Sequence, residues 1–316
     1  MSSINTNIAG MTALQSLTQT NKSLTETQNR ISTGLRVAEA SDNAAYWSIA
    51  TTMRSDKGAL STVQDALGLG ASVVDVAYTA VHAAIEVVNE MKTKLVAARQ
   101  PGVDKAKVHS EIAELQKQLT SIATSASFSG ENWLQIDSSA TGYSASKNIV
   151  ASFTRTGGVV AIQTITIDTS SMDLFDTATA ATNAAAGILD ANRTTVGVID
   201  NTATTWTIAN LNISALTDST ADIAILDGYI KGVDAGIKEM TTAASSLGAV
   251  KARIGLQQDF VANLMDALDR GIGTLVDADM NEESTRLQAL QVQQQLGIRA
   301  LSIANASSQN ILRLFQ

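Results

Sequence analysis

The chain has 316 residues and a net charge of −8, and 45 % of its residues are hydrophobic but only 4 % are aromatic. Apolar content dominated by Ala, Leu, Ile and Val favours long helices packed side by side over a thick globular core. The 22 basic residues form no cluster, so we expect no nucleic-acid partner, which would need one. The absence of cysteine excludes disulfides, thiolate metal sites and cysteine nucleophiles.

The N-terminal segment does not have the pattern of a secretory leader. Its first basic residue is Lys22, and no uninterrupted apolar run precedes a small-residue cleavage site. We therefore expect secretion, if it occurs, without a cleaved signal peptide. Because no stretch approaches 18 apolar residues, we also expect no membrane-spanning segment and no membrane partner.

Residues 4–35 have the pattern of an amphipathic helix. Apolar residues recur at three- and four-residue steps that match a heptad repeat, and Asn21 on the same seam is of the type that can fix register. Gly34 marks the expected end of this helix, and Ser41 or Asp42 is the predicted cap of the next one. The positions predicted to take part in self-assembly are Ile4, Ile8, Met11, Leu14, Leu17, Leu24 and Ile31.

Two longer helical patterns continue this spacing. One covers residues 60–95 and is broken at Pro101-Gly102, after which a helix over 104–126 should return as an antiparallel hairpin. The other covers residues 230–275. The predicted packing positions of this outer bundle are Leu67, Val74, Val81, Val88, Leu247, Ile254, Val261 and Leu268.

From about residue 127, the apolar residues recur at every second position instead of at helical spacing. Residues 147–154 and 159–168 alternate around Thr156-Gly157-Gly158, which predicts a β-hairpin. The remaining patterned segments are 195–200 and 205–214, interpreted as short strands, and 176–188, interpreted as helical or disordered. We therefore predict a small, exposed, β-rich subdomain inserted into a helical scaffold.

The C-terminal stretch, residues 281–316, is helical in pattern and has no acidic residue after Glu283. A helix exposed to water normally carries more charge. Burying one apolar stripe of an end helix gives very roughly 10 kcal/mol, whereas ordering its backbone costs about 20–40 kcal/mol before hydrogen bonds. We therefore expect both end helices to fold among other copies of the chain, in an open helical polymer. The C-terminal positions predicted to take part are Leu287, Leu290, Leu301, Ile311 and Phe315.

These patterns together predict a mainly α fold. We expect a long antiparallel helical bundle or coiled coil formed by the N- and C-terminal halves, with a small β-rich central insertion. The predicted divisions are 1–42 with 276–316 for the terminal helices, 43–136 with 226–275 for the helical bundle, and 137–225 for the central subdomain.

Six stretches, three in each half of the chain, form a recognisable set. They are INTN (4–7), NRISTGLRVAEASDNAAYWSIA (29–50), FSGENWL (128–134), SSLGAVKARI (245–254), ADMNEES (278–284) and ASSQNILRLFQ (306–316). In this order and at these positions they resemble bacterial flagellin. The similarity covers about 1–136 and 226–316, and the sequence is most like flagellins of soil α-proteobacteria of the rhizobial and Agrobacterium type.

The resemblance implies an extracellular filament subunit that is exported through the flagellar type III apparatus and serves motility. It implies an inner core made from the terminal helices and an outer core made from the long helices. It also implies three kinds of partner: an export chaperone for the C-terminal helix, a filament cap and hook-junction proteins. The stretch that an innate toll-like receptor recognises in this family corresponds to residues 90–97 of this chain. Met91 stands at the position of the key arginine. We therefore predict weak or absent receptor activation.

Two other classes remain open at this point: a hook–filament junction protein, and a soluble helical signalling protein. We expect no enzyme, cofactor or metal. The histidines, His82 and His109, have no supporting catalytic motif. Asp277 and Asp279 begin like a calcium loop, but Glu282 occupies the position that requires glycine.

Overall fold

The computed structural model describes residues 7–178, 187–196 and 203–313 of the chain. The fold is mainly α with a strand-containing centre, which confirms the predicted class. The helices are α1 (Ile8–Thr33), α2 (Ala44–Ala98), α3 (Lys105–Ser125), α4 (Thr220–Val276) and α5 (Met280–Arg313). The strands are β1 (Ser127–Phe128), β2 (Glu131–Asn132), β3 (Gln135–Ile136), β4 (Ser146–Thr156), β5 (Val159–Asp168), β6 (Phe175–Asp176), β7 (Arg193–Val196) and β8 (Ala203–Trp206).

The chain forms two compact units. The terminal unit contains residues 1–58 and 264–316, and the central unit contains residues 59–263. The limits between the two units fall within the residue ranges of α2 and α4.

The connection between α1 and α2 is defined by a glycine and two side-chain caps. Gly34 ends α1 with a left-handed φ of 73°, as predicted, because glycine adopts this conformation without a Cβ penalty. Asn43 caps α2, since its Oδ1 accepts two first-turn N–H groups at 3.1 Å each. The predicted caps Ser41 and Asp42 were wrong. The Asp42 carboxylate instead accepts the N–H of Ala38 at 2.9 Å and so holds the preceding turn.

The terminal unit has its own small core where the two connections meet. The N–H of Val37 donates to the carbonyl oxygen of Val276 at 3.2 Å, and Leu35 pairs with Asp277 in an antiparallel bridge. This pairing satisfies backbone groups that would otherwise be orphaned at the helix ends. The buried residues of the core are Val37, Ala50, Ile272 and Val276.

The central unit is organised around α2, α3 and α4. Lys92 pairs with Asp234 at 2.5 Å and Asp75 pairs with Lys251 at 2.6 Å, so α2 and α4 run in opposite directions. The predicted packing positions Leu67, Val74, Val81, Val88, Leu247, Ile254 and Val261 are all fully buried. Leu268 belongs to the terminal unit and is half-buried.

The predicted hairpin is confirmed as β4 and β5, which are antiparallel and carry one bulge between Val150 and Ser152. Its turn has Gly157 at φ 60° and Gly158 at φ 84°. Two consecutive positive φ values are what a type I′ turn requires, and glycine adopts them freely.

The rest of the central region departs from the sequence expectations. The predicted strand over 205–214 was wrong beyond Trp206, because the chain turns there into a short 3-10 helix, Ile208–Asn210. Of the predicted strand over 195–200, the first two residues end β7 and 197–200 lie outside the described residues. In the segment 176–188, predicted to be helical or disordered, residues 179–186 lie outside the described residues. Its first residue, Asp176, ends β6, which pairs in parallel with β3.

Within the described residues, α2 is the one helix with an 18-residue stretch apolar enough to cross a membrane. The expectation that no segment approaches this composition was therefore wrong. The physical reason is that α2 buries a continuous Ala- and Val-rich stripe against protein, where Val74, Val81 and Val88 are fully covered. A helix in the core of a protein meets the same criterion.

Candidate self-assembly surface

The two ends of the chain pair with each other as an antiparallel helix pair, α1 with α5. At one end of the pair, Asn7 Nδ2 donates to the carbonyl oxygen of Ala304 at 3.1 Å. At the other end, Arg30 Nη1 donates to Glu283 Oε1 at 3.0 Å. The sequence predicted that these segments would be helical, and the structure shows which faces they present to each other.

A polar pair and a glycine fix the middle of this contact. Gln294 Nε2 donates to Asn21 Oδ1 at 2.7 Å. A Cβ atom added at Gly297 would lie 3.2 Å from Leu17 Cδ1, so glycine permits the two helices to approach closely here. The Asn21–Gln294 hydrogen bond is exposed to solvent, so its contribution to the register is modest and adds to that of the close approach at Gly297.

Glu283 is a buried charge in this otherwise sparsely charged pair. The residue is 5 % exposed, and its Oε1 lies 3.0 Å from Arg30 and 3.9 Å from Arg286. Its Oε2 is buried with no hydrogen-bond partner among the described residues. A buried carboxylate is tolerated only when it is paired, so the α1–α5 contact depends on at least one of these arginines.

The predicted assembly residues of α1 divide into two sets. Leu17, Leu24 and Ile31 are half-buried. Ile8, Met11 and Leu14, nearer the start of the helix, are 64 %, 65 % and 54 % exposed. The second set therefore has apolar area that the chain itself does not cover. Ile4 lies outside the described residues.

The predicted assembly residues of α5 lie on the face that packs against α1. Leu287, Leu290 and Leu301 are half-buried and share the helical face of Glu283 and Gln294. Phe315 lies outside the described residues, and Ile311 lies where only the backbone of α5 is described.

A second apolar face of α5 was not found by the sequence reasoning. It consists of Val292, Leu296 and Ile303, which are 55 %, 58 % and 69 % exposed. Their steps of four and seven residues place them on one side of the helix, opposite the face that packs on α1. This spacing is present in the sequence, but the stripe through Leu287, Leu290 and Leu301 alone accounts for an amphipathic helix and so hides the second face.

Two end helices that pair, carry little charge and keep an uncovered apolar face are features of a structural subunit of a helical polymer. Residues 4–138 match the bacterial flagellin N-terminal helical region, and residues 230–315 match the bacterial flagellin C-terminal helical region. The chain belongs to the bacterial flagellin family. It is a structural subunit of the flagellar filament, an extracellular assembly that serves motility.

Full-length relatives support the same assignment. Flagellin C of Rhizobium meliloti (strain 1021) is 52 % identical over 330 residues, and flagellin A of Rhizobium meliloti is 45 % identical over 404 residues. Flagellin of Brucella melitensis biotype 1 is 44 % identical over 317 residues. In each comparison both chains are covered completely. The rhizobial likeness inferred from the sequence is thereby confirmed, and the junction-protein and signalling alternatives are not favoured.

Proposed function

We propose that this flagellin polymerises by burying the outward apolar faces of α1 and α5 between neighbouring subunits. The observation that carries the proposal is the division of α5 into two faces, one packed on α1 and one with Val292, Leu296 and Ile303 exposed. Burying one such side chain fully gives about 1.5–3 kcal/mol. Contacts of this size, repeated on several sides of each subunit, offset the cost of ordering the ends.

The experiment is seeded elongation of purified protein, followed by electron microscopy. We expect long filaments from the full chain and soluble monomers from a chain lacking residues 281–316. The sharper variant is Val292→Ser/Leu296→Ser/Ile303→Ser, which removes the exposed face and should raise the critical concentration for elongation at least tenfold. The matched control is Gln288→Ser/Gln291→Ser/Gln295→Ser, which changes equally exposed polar residues of the same helix. Equal elongation by both triple variants would contradict the proposal.

The proposed domain division follows from this mechanism. Residues 1–42 and 276–316 form the inner core of the filament, residues 43–136 and 226–275 form the outer core, and residues 137–225 form the exposed central subdomain. The connections at residues 34–43 and 277–279 support this division, because they separate the α1–α5 pair from the long helices. Limited proteolysis of assembled filaments tests it, since cleavage should be confined to residues 137–225.

The same proposal includes export without a cleaved leader and three partners outside the filament shaft. An export chaperone holds the sparsely charged C-terminal helix before assembly, and cap and hook-junction proteins contact the two ends of the polymer. Intact mass measurement of filament protein from culture medium tests the first point, and a mass that lacks an N-terminal leader segment would contradict it.

Weak or absent activation of the innate toll-like receptor also belongs to the proposal. Met91 is an uncharged residue that is fully buried in the central unit. The sequence position that carries the key arginine elsewhere in the family therefore offers no exposed cation here. A cell reporter assay is the test, and full activation at ordinary flagellin doses would contradict this prediction.

A further inference from the structure

The far end of the β4–β5 hairpin is apolar and uncovered. Near its base, Ile165 and Ile167 are each 2 % exposed. Toward the turn, Val159, Val160 and Ile162 are 70 %, 47 % and 63 % exposed. We call residues 153–162 the hairpin tip. A two-stranded hairpin is marginally stable in water unless something packs against it, so the tip has the composition of a segment that needs a partner.

Both faces of the hairpin tip contribute apolar area. Ile162 lies opposite Phe153 in the antiparallel register, on the same face as Val160. Val159 lies on the other face, because side chains alternate along a strand. The guanidinium carbon of Arg155 lies 5.8 Å from the centroid of the Phe153 ring and covers part of it. The apolar area therefore lies mainly on the face of Phe153, Val160 and Ile162 and extends around the turn through Val159. A ribbon of this kind is suited to insertion of its end into a cleft.

The same compact unit contains a groove of about 560 Å³, formed by α2, the β1–β2 turn and the start of β4. This volume lies in the range that accommodates several apolar groups. Leu69 on the groove wall is 55 % exposed. Glu131 and Lys147 also line it and lie 3.6 Å apart, so their charges offset each other. The apolar side chains that line it are those of Ala66, Leu69, Val73, Phe128, Trp133, Ile149 and Val150.

The hairpin tip cannot fill the groove of its own chain. Ile149, at the base of the hairpin, already lines the groove. Ile162 pairs with Phe153, four positions further along β4. At about 3.3 Å per residue an extended strand holds these positions roughly 13 Å apart. The tip therefore points away from its own groove and is available to another molecule.

We propose that the hairpin tip of one copy inserts into the groove of the next copy in the polymer. This inference rests on the proposed self-assembly through α1 and α5 and adds a second contact to it. The two surfaces differ, and they lie on one compact unit. Such a contact is heterologous, and if its rotation does not close it extends indefinitely, as a filament requires.

The absence of native cysteine makes site-directed cross-linking the direct test. Two single variants are prepared, one with a tip cysteine (Ile162→Cys or Val159→Cys) and one with a groove cysteine (Leu69→Cys or Val73→Cys). They are mixed, co-assembled on seeds and treated with a short bismaleimide. We expect covalent dimers in at least one of the four mixtures. Because each chain carries one cysteine, every product joins two copies, and the tip–groove product is the dimer that forms in the mixture but not from either variant alone. A control mixture pairs Ile162→Cys with Leu256→Cys, whose site is 72 % exposed but lies outside the groove.

A chain that carries both Ile162→Cys and Leu69→Cys should yield a ladder of multimers after cross-linking of intact filaments. Filaments that give no dimer in any of the four mixtures would overturn the inference, and so would equal yields in the Leu256→Cys control. Failure of the parent chain to form filaments concerns the proposed role of α1 and α5 instead, so the two proposals fail in distinguishable ways.

Discussion

At the scale of single residues, the buried charges of this chain have the largest consequences. The chain has few charges in its terminal helices, and among those whose burial the structure describes Glu283 is the buried one, at 5 % exposure. Removing one partner from a buried ion pair leaves a charge uncompensated, which costs more than the pair itself contributes.

We therefore predict that Arg30→Ala destabilises the assembled filament by about 3 kcal/mol, the lower end of the range for a broken buried pair, because Arg286 remains 3.9 Å from Glu283. Thermal depolymerisation followed by light scattering measures the effect. The double variant Arg30→Ala/Glu283→Gln should recover part of the loss, since it also removes the unpaired charge. A double variant that is less stable than Arg30→Ala would contradict this explanation.

Asp173 is a second buried carboxyl, in the central region. It is 5 % exposed, and burial raises its pKa to about 6, with further increases from the carboxylates of Asp176, Asp190 and Asp168. Tyr143 also faces this group, and its pKa is raised by burial and by the charge of Asp173. Because the folded state favours the protonated acid, the contribution of Asp173 to stability is full below about pH 4 and declines as the pH rises through 6.

We predict that Asp173→Asn increases the free energy of unfolding at pH 7.5 by about 1–3 kcal/mol. The difference from the parent chain should shrink as the pH falls from 6 to 4. Urea unfolding monitored by tryptophan fluorescence at a series of pH values measures it. The control is Asp65→Asn, which neutralises an exposed carboxylate. An Asp173→Asn gain that is the same at pH 4 and pH 7.5 would contradict the role of ionisation.

At the scale of elements, α4 shows how one helix uses glycine for different purposes. A Cβ atom added at Gly232 would lie 2.5 Å from Cζ2 of Trp206, a ring that is almost fully buried. At Gly236 it would meet Cδ1 of Ile208, the end of a flexible side chain. At Gly255 it would meet nothing within 4 Å. Of these three glycines, Gly232 and Gly236 are at positions where an added Cβ would clash.

The effect of glycine-to-alanine substitution on stability should therefore change sign along α4. We predict that Gly255→Ala stabilises the chain by up to about 1 kcal/mol, since alanine has the higher helix propensity. Gly232→Ala should destabilise it by about 1–3 kcal/mol through overpacking against a rigid ring. Gly236→Ala should fall between them, because the added Cβ meets the end of the fully buried Ile208 side chain rather than a rigid ring. Urea unfolding of the three variants tests the order, and a stabilising Gly232→Ala would contradict it.

The elements that the sequence predicts correctly are those whose pattern repeats. The spacing through Leu67, Val74 and Val81 continues without interruption, so α2 is recognisable from periodicity alone. The hairpin combines two-residue alternation with Gly157-Gly158, a combination specific to that turn. Apolar residues at three- and four-residue steps likewise predict that the two end helices of the chain, α1 and α5, are amphipathic.

Elements that depend on single contacts were missed. The strand predicted through 205–214 stops because Asn210 Oδ1 accepts the N–H of Thr207 at 2.9 Å, a local bond that competes with strand pairing. The parallel pairing of β3 with β6 joins two-residue segments with no periodic signal. The second face of α5 was missed for another reason, since one apolar stripe on a helix does not exclude a second.

At the scale of the whole molecule, the net negative charge of each copy opposes assembly, whereas burial of the apolar helix faces favours it. Each copy carries a net charge of −8, so bringing copies into contact accumulates like charge. The surfaces proposed to join them, by contrast, are apolar. Added salt shortens the Debye length from about 30 Å at 10 mM to about 8 Å at 150 mM. The repulsion is screened over this range, whereas apolar burial is little affected.

We therefore predict that the critical concentration for seeded elongation falls several-fold between 10 and 150 mM sodium chloride, where the screening length falls to about 8 Å. Sedimentation of unassembled protein at each salt concentration measures it, and choline chloride at equal ionic strength should reproduce the change. The critical concentration of the Val292→Ser/Leu296→Ser/Ile303→Ser variant should remain above that of the parent chain at every salt concentration, because screening does not replace lost apolar area. A critical concentration that rises with salt would mean that ion pairs between copies, rather than apolar faces, hold the filament together.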